Sequence, residues 1–219
     1  MRTHLFVSFW VVFAFLLSTT GCSHGDSKGQ KNDVAFDSID IEETYHLLNN
    51  PENPVEDTYL QLIASAKRML YITTPYYAVE ESMQQALCIA ADAGVDVRLM
   101  VPAIPDKRYA YIVAQTYWGE LLRHGVKIYK YSPGFLHAKS VMVDREVALV
   151  GSTNMDYRSF QLHYECAVLL YHMSAVEELL EDMDGIMEKS APYTLEEWNK
   201  RPWHLKVVSS ILRLAAIWL

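Results

Sequence analysis

The sequence predicts an α/β domain in which a mixed, mostly parallel sheet is flanked by helices. Three features predict it: helical and strand-like runs alternate from residue 55 to 131, glycines close two of the helical runs, and an apolar fraction of 51% suffices for a buried core. Tyr59, Leu60, Leu62, Ile63 and Ala66 recur at helical spacing and end at Lys67-Arg68, where cations suit a helix C-terminus. Residues 69–73 read as a strand, 82–93 as a helix stopped by Gly94, and 95–101 as a strand ending at Pro102. A helix over 109–123, stopped by Gly125, leads to a strand at 126–131. Strand–helix–strand connections place their strands parallel. Adjacent strands at 138–143 and 147–150, a short helix at 157–160, a strand at 163–171 and a helix at 175–189 complete the pattern.

The two ends differ in character from this domain, which occupies residues 55–192. Arg2 and His4 precede residues 5–17, which are uncharged and almost wholly apolar, and Ser18-Thr19-Thr20-Gly21-Cys22 follows. Basic start, short hydrophobic centre and small residues form the layout of a secretory signal, and the apolar run is short for a membrane-spanning helix. Gly21-Cys22 also resembles the end of a bacterial lipoprotein signal, which makes Cys22 a lipidation candidate, although Thr19 stands where that pattern prefers leucine. A cleaved signal or lipoprotein, an uncleaved anchor and a truncation artefact all stand as readings of residues 1–22. Residues 23–54, rich in Ser, Gly, Asp, Asn and Lys, read as a linker, poorly ordered up to about residue 40. The tail, 193–219, ends in an amphipathic helix with Lys206, Ser209, Ser210 and Arg213 on one narrow face. It either lies in a membrane interface or packs on the domain's own core.

Composition narrows the function classes. A net charge of −8 with no strongly basic stretch argues against a protein that grips nucleic acid. Cys22, Cys88 and Cys166 do not form a disulfide framework, and Cys88 and Cys166 read as small core residues. The chemistry-bearing segment is 135–165. His137-x-Lys139 puts two side chains on one face of a strand. Lys139 is a point charge suited to a phosphate oxygen, and the imidazole serves as nucleophile when neutral and as acid when charged. Gly151-Ser152-x-Asn154 supplies a tight turn with hydroxyl and amide donors for the remaining phosphate oxygens. Glu165, 28 residues after His137, is placed to return beside a histidine and orient its ring. Asp144 ends a strand, where it reads as a structural cap of the turn at Arg145-Glu146.

These residues resemble the phospholipase D superfamily, whose motif His-x-Lys-x4-Asp-x6-Gly-Gly/Ser-x-Asn is matched by His137, Lys139, Asp144, Gly151, Ser152 and Asn154. The likeness covers about residues 55–205 and narrows to the second half of bacterial cardiolipin synthases. It rests on Thr74-Pro75-Tyr76, Gly94-Val95-Asp96-Val97-Arg98, Gly119-Glu120-Leu121-Leu122, Asn154-Met155-Asp156-x-Arg158-Ser159-Phe160 and Thr194-Leu195-Glu196-Glu197-Trp198-x-x-Arg201-Pro202. The resemblance implies catalytic roles for His137, Lys139 and Asp144, phosphate contacts for Ser152 and Asn154, an orienting acid at Glu165, and neither metal nor cofactor. It implies a membrane-associated phosphatidyltransferase acting on phosphatidylglycerol through a phosphohistidine. Such synthases carry two motifs and this chain carries one, so the resemblance also implies a homodimer or a first-half partner chain. His163 departs from the family, which usually has asparagine there. Two other readings stand beside this one: a homodimeric single-motif phosphodiesterase, favoured by the signal-like start, and a non-catalytic truncated remnant, against which the intact motif speaks.

Overall fold

The computed structural model describes residues 54–213; the signal-like segment with Cys22, nearly all of the linker and residues 214–219 lie outside the described residues. Helix α1 (Pro54–Ser65) leads into β1 (Met69–Thr73), and the short strand β2 (Tyr77–Ala78) precedes α2 (Glu81–Asp92). Strand β3 (Asp96–Pro102), helix α3 (Arg108–Arg123) and strand β4 (Lys127–Tyr131) complete two crossovers. Gly94 and Gly125 sit just past α2 and α3 at φ 91° and 88°, a region open to glycine without steric cost, and so end both helices. The second half runs β5 (Ser140–Val143), β6 (Val147–Gly151), β7 (Met155–Asp156), α4 (Tyr157–Gln161) and β8 (Ala167–Tyr171). Helix α5 (Ser174–Glu188), β9 (Ser190–Tyr193), α6 (Leu195–Asn199) and α7 (Trp203–Arg213) close it.

Seven strands form one sheet in the order β8-β6-β5-β1-β3-β4-β9, and β2 pairs with β7 separately. The sheet is mixed, but it is not mostly parallel. Only β1–β3 and β3–β4 are parallel; the other four pairings, β1–β5, β5–β6, β6–β8 and β4–β9, are antiparallel. The physical reason is connection length. Parallel neighbours need a crossover such as α2 or α3, whereas β5 and β6 are joined by a turn that can only reverse the chain. Alternation along β1 divides the core. Leu70 and Ile72 pack with Tyr59, Ile63, Leu87 and Leu121 from α1, α2 and α3, while Tyr71 faces Met142, Leu180 and Met183 on the α5 side. Cys88 is buried in the first of these clusters, as expected, but Cys166 is exposed and lies ahead of β8 rather than within it.

The β5–β6 turn holds both Asp144 (φ 52°) and Arg145 (φ 65°) in the left-handed region, the twist that a tight hairpin needs. Asp144 accepts from the backbone N–H groups of Lys67 at 2.9 Å and of Arg68 and Met69 at 2.8 Å, pinning the hairpin tip to the entry of β1. Burial works to raise its pKa, but the backbone donors of Lys67, Met69 and Arg68 outweigh it and hold the carboxyl below its ordinary value. Asp144→Ala is therefore expected to lower stability by about 2 kcal/mol, read as a fall in denaturant midpoint at unchanged slope. Because the folded pKa is depressed, this contribution is fully present above about pH 4 and is lost as pH falls through the folded value. The gap between wild type and variant should close on acidification.

The tail belongs to the same packing unit. Tyr193 in β9 is paired with Ile128, and Thr194 and Glu197 form a capping box at α6. Trp198 lies so close to Gly119 that a Cβ there would come within 2.4 Å of its ring. Its Nε1 donates to the Gln115 carbonyl at 2.7 Å, and Arg201 stacks 4.5 Å from the ring centroid.

Candidate active site

The cleft lies at the C-terminal end of β1, where Thr73 pairs with Ser140. The Thr73 and Ser140 hydroxyls are 2.7 Å apart and the Ser140 N–H donates to Thr73 Oγ1, which fixes the chain just after Lys139. His137 and Lys139 themselves stand in the irregular segment before β5, not on the strand. They nevertheless meet. Lys139 Nζ lies 3.0 Å and 3.1 Å from the two ring nitrogens of His137 and donates to the His137 carbonyl at 2.8 Å. The in-plane lone-pair directions of the two nitrogens diverge, so near-equal distances put the ammonium over the ring face rather than in a bond to either nitrogen.

The Gly-Ser-x-Asn segment is brought to the same cleft by three tethers. The Gly151 N–H donates to the Lys139 carbonyl at 3.2 Å, Met155 N–H donates to Thr74 Oγ1 at 3.1 Å, and Tyr59 Oη donates to the Thr153 carbonyl at 3.3 Å. Gly151 is needed for packing: a Cβ would lie 2.3 Å from the Cys166 carbonyl oxygen and 2.7 Å from Ala167 Cα, both backbone atoms of the adjoining chain. His137, Lys139, Ser140, Gly151, Ser152 and Asn154 line an open cleft of about 420 Å³. Asn154 Nδ2 donates to Ser159 Oγ at 3.1 Å, and its buried Oδ1 has no hydrogen-bond partner.

One expectation needs correction. Asp144 does not reach the cleft: it lies five residues beyond Lys139, at the far end of β5 by roughly 17 Å of extended chain, with its carboxylate committed to backbone donors. Its role is structural. Glu165 precedes β8 and accepts a short hydrogen bond from Ser152 Oγ, while its other oxygen is 3.7 Å from His163 Nδ1; the carboxylate is not bonded to His137. Ser152 Oγ also accepts from the Cys166 N–H at 3.0 Å, so its proton is engaged before any phosphate arrives. His163 lies in the loop after α4, where Arg158 Nε donates to its Nε2 at 2.9 Å.

Three contributors had no role assigned from sequence. Asp156 caps α4 by accepting from the Ser159 N–H at 2.7 Å; burial raises its pKa against that bond. Asp156-x-x-Ser159 is the spacing of an N-cap, a signal that was legible. Thr74, just after β1, accepts from the Met155 N–H of β7 and donates to the Tyr76 carbonyl, and Asp106, which accepts from Tyr76 Oη, carries a charge felt at His137. Electrostatics favours the neutral imidazole: burial first and the Lys139 charge second hold the His137 pKa below 6.5, against the pull of Asp106. Burial also lowers the Lys139 pKa, opposed by the Glu165 and Asp156 carboxylates. Among the described residues no group of three or more His, Cys, Asp or Glu is arranged to hold a metal ion.

Residues 59–187 match the family described as "Cardiolipin synthase, PLD-like domain". The chain is 40% identical over 166 residues to cardiolipin synthase 2 of Bacillus anthracis, covering 76% of this chain and 32% of that protein. It is 41% identical over 160 residues to the cardiolipin synthase of Geobacillus sp. (strain WCH70), covering 73% and 32%. The chain thus spans about a third of the length of these curated relatives. Among solved structures, Nuc of Salmonella typhimurium, a phospholipase D family member, superposes with a TM-score of 0.58 at 24% identity, over 66% of this chain and 94% of that one. Phosphatidylserine synthase of Haemophilus influenzae gives 0.61 at 16% identity, over 74% and 43%. At these identities the likeness concerns the fold. With its model matched over more than half of the sequence, the chain belongs to the phospholipase D-like domain family of cardiolipin synthases.

Proposed function

We propose that the chain is half of a phosphatidyltransferase site that acts on phosphatidylglycerol and is completed by a second motif. The observation that supports this best is the pairing of a neutral-leaning His137 with the Lys139 ammonium above an open cleft. In the proposed reaction one imidazole nitrogen attacks phosphorus and the bond to the departing glycerol oxygen breaks. A second imidazole, protonated, gives its proton to that oxygen. The glycerol hydroxyl of another phosphatidylglycerol then attacks the phosphohistidine, returning its proton to the second imidazole and releasing the first. Lys139 balances phosphate charge throughout, and Asn154 offers an amide donor to a phosphate oxygen. The family resemblance gives His137 the acid–base part. An entering phosphodiester anion would oppose the Lys139 charge and raise the His137 pKa, preparing it to hold a proton.

One imidazole cannot stand on both sides of phosphorus, so the second must come from another copy or from a first-half chain. The surround of the cleft supports such an occupant: Val150 on its lining and Val168, the cross-strand neighbour of Val150, are both exposed. The second reading, hydrolysis by a homodimer, differs only in the acceptor and is favoured by the open cleft, which admits water. Radiolabelled phosphatidylglycerol vesicles separate the two. Transfer yields cardiolipin and glycerol, hydrolysis yields phosphatidic acid and glycerol, and a lack of both products with either a second copy or a supplied first half would reject the enzyme reading.

A further inference from the structure

Helix α7 lies on α3, with Leu212 packed on the core and its polar residues Lys206, Ser209 and Arg213 turned toward the domain as well. Ser209 is 2% exposed, Arg213 sits 4.2 Å over the Tyr117 ring and 3.9 Å from the Glu81 carboxylate, and Lys206 Nζ donates to the Asn199 carbonyl at 2.9 Å. The outward side carries Trp203, Val207 and Ile211 at four-residue spacing with Val208 beside them, exposed to 77%, 50%, 62% and 45%. An ordinary surface helix has the opposite arrangement. We infer that this outward face inserts into a phospholipid surface and holds it by apolar contact rather than by charge.

Three observations favour lipid as the occupant. Trp203, Val207, Val208 and Ile211 span more than two turns of α7 without a charged side chain among them, whereas a protein interface is rimmed by polar groups. Trp203 opens this face, and tryptophan favours the boundary between hydrocarbon and water. Direction is the second observation: Arg213 reaches Glu81 in the first turn of α2, which starts from the end of β1 that carries the catalytic cleft. The third is charge. The basic groups of α7 are engaged with the domain, and the chain carries −8 overall, so attraction to anionic headgroups is not the source of the contact.

The inference rests on the phospholipid reading for why a bilayer is at hand, but its test needs no turnover. The full-length chain, with Cys22 and Cys166 replaced by serine, would carry a nitroxide at Val207→Cys or Ile211→Cys, with Glu177→Cys on α5 as the reference. On phosphatidylcholine vesicles, the labels at 207 and 211 should lose accessibility to a water-soluble nickel complex several-fold and gain collisions with oxygen. The label at 177 should stay in water. The result should persist in high salt and be no stronger with phosphatidylglycerol added, and a catalytically dead protein should behave alike. Failure to bind vesicles, or binding with 207 and 211 still wet, overturns the proposal. So does shielding that needs anionic lipid and yields to salt, or shielding that grows with protein concentration in the absence of vesicles, which would identify a second copy as the occupant.

Discussion

His137→Asn is expected to reduce phosphoryl transfer by at least about a thousandfold while leaving the denaturation midpoint of the protein unchanged. The side chain lies at an open cleft beside the Lys139 ammonium and the Phe135 ring, so the core does not depend on it. Asparagine keeps a polar group of similar reach but supplies neither a nucleophilic nitrogen nor a proton near neutral pH. In a homodimer two copies of His137 share one site, and their protonations belong to the pair. The pH profile of kcat/KM should then be bell-shaped, with its acid limb below the 6.5 of a free imidazole, because burial and Lys139 depress the neutral partner. Lys139→Ala should move that limb upward even as it lowers the rate. A His137→Asn protein with near-normal turnover would remove the residue from the mechanism.

The second large effect is expected from dilution. As an isolated monomer the chain should be inactive, because a displacement at phosphorus needs a group on each side. His163 does not supply the missing one: it is held by Arg158 and lies beside Glu165, without a lysine partner. Activity should therefore fall steeply below the dimer dissociation constant, or appear only when a first-half domain is added. For a homodimer with one site on its two-fold axis, mixing wild type with an equal amount of His137→Asn should leave roughly a quarter of the wild-type rate rather than a half. Turnover at about 1 per second by a species shown to be monomeric at assay concentration would sink the idea.

What the sequence made legible follows from where each residue sits. Strand β1 was read to the residue, because Leu70, Tyr71 and Ile72 are buried on a central strand and their side chains carry the signal on both faces. The crossover helices were read to within a residue or so, since Gly94 and Gly125 mark their ends. Strand direction was not legible after β4: alternation within a run is the same whether the neighbour is parallel or antiparallel. Strand β9 escaped notice because it is an edge strand of Ser-Ala-Pro-Tyr, and a proline is tolerated only on such an edge. The cleft residues were legible from spacing, but the partner of Glu165 was not. That depends on a loop whose path brings Cys166 against Ser152, where the Ser152 N–H donates to the Cys166 carbonyl and the Cys166 N–H to Ser152 Oγ, a pairing that residue spacing does not encode. The orientation of α7 was hidden for a related reason. It is docked through rings and guanidinium groups, so its charged stripe marks the buried side rather than the wet one.

The Trp198–Gly119 contact bears on how the domain can be handled in the laboratory. A boundary drawn at residue 192, where the helical and strand signals of the sequence thin out, cuts through β9 and discards the indole that covers Gly119. Trp118 and Tyr193, whose rings stack edge to face at 5.4 Å, would lose one partner in the same cut. A shortened gene meant to yield the catalytic part alone would encode a chain with an opened core, prone to precipitate on expression. The smallest piece worth cloning ends no earlier than Arg213.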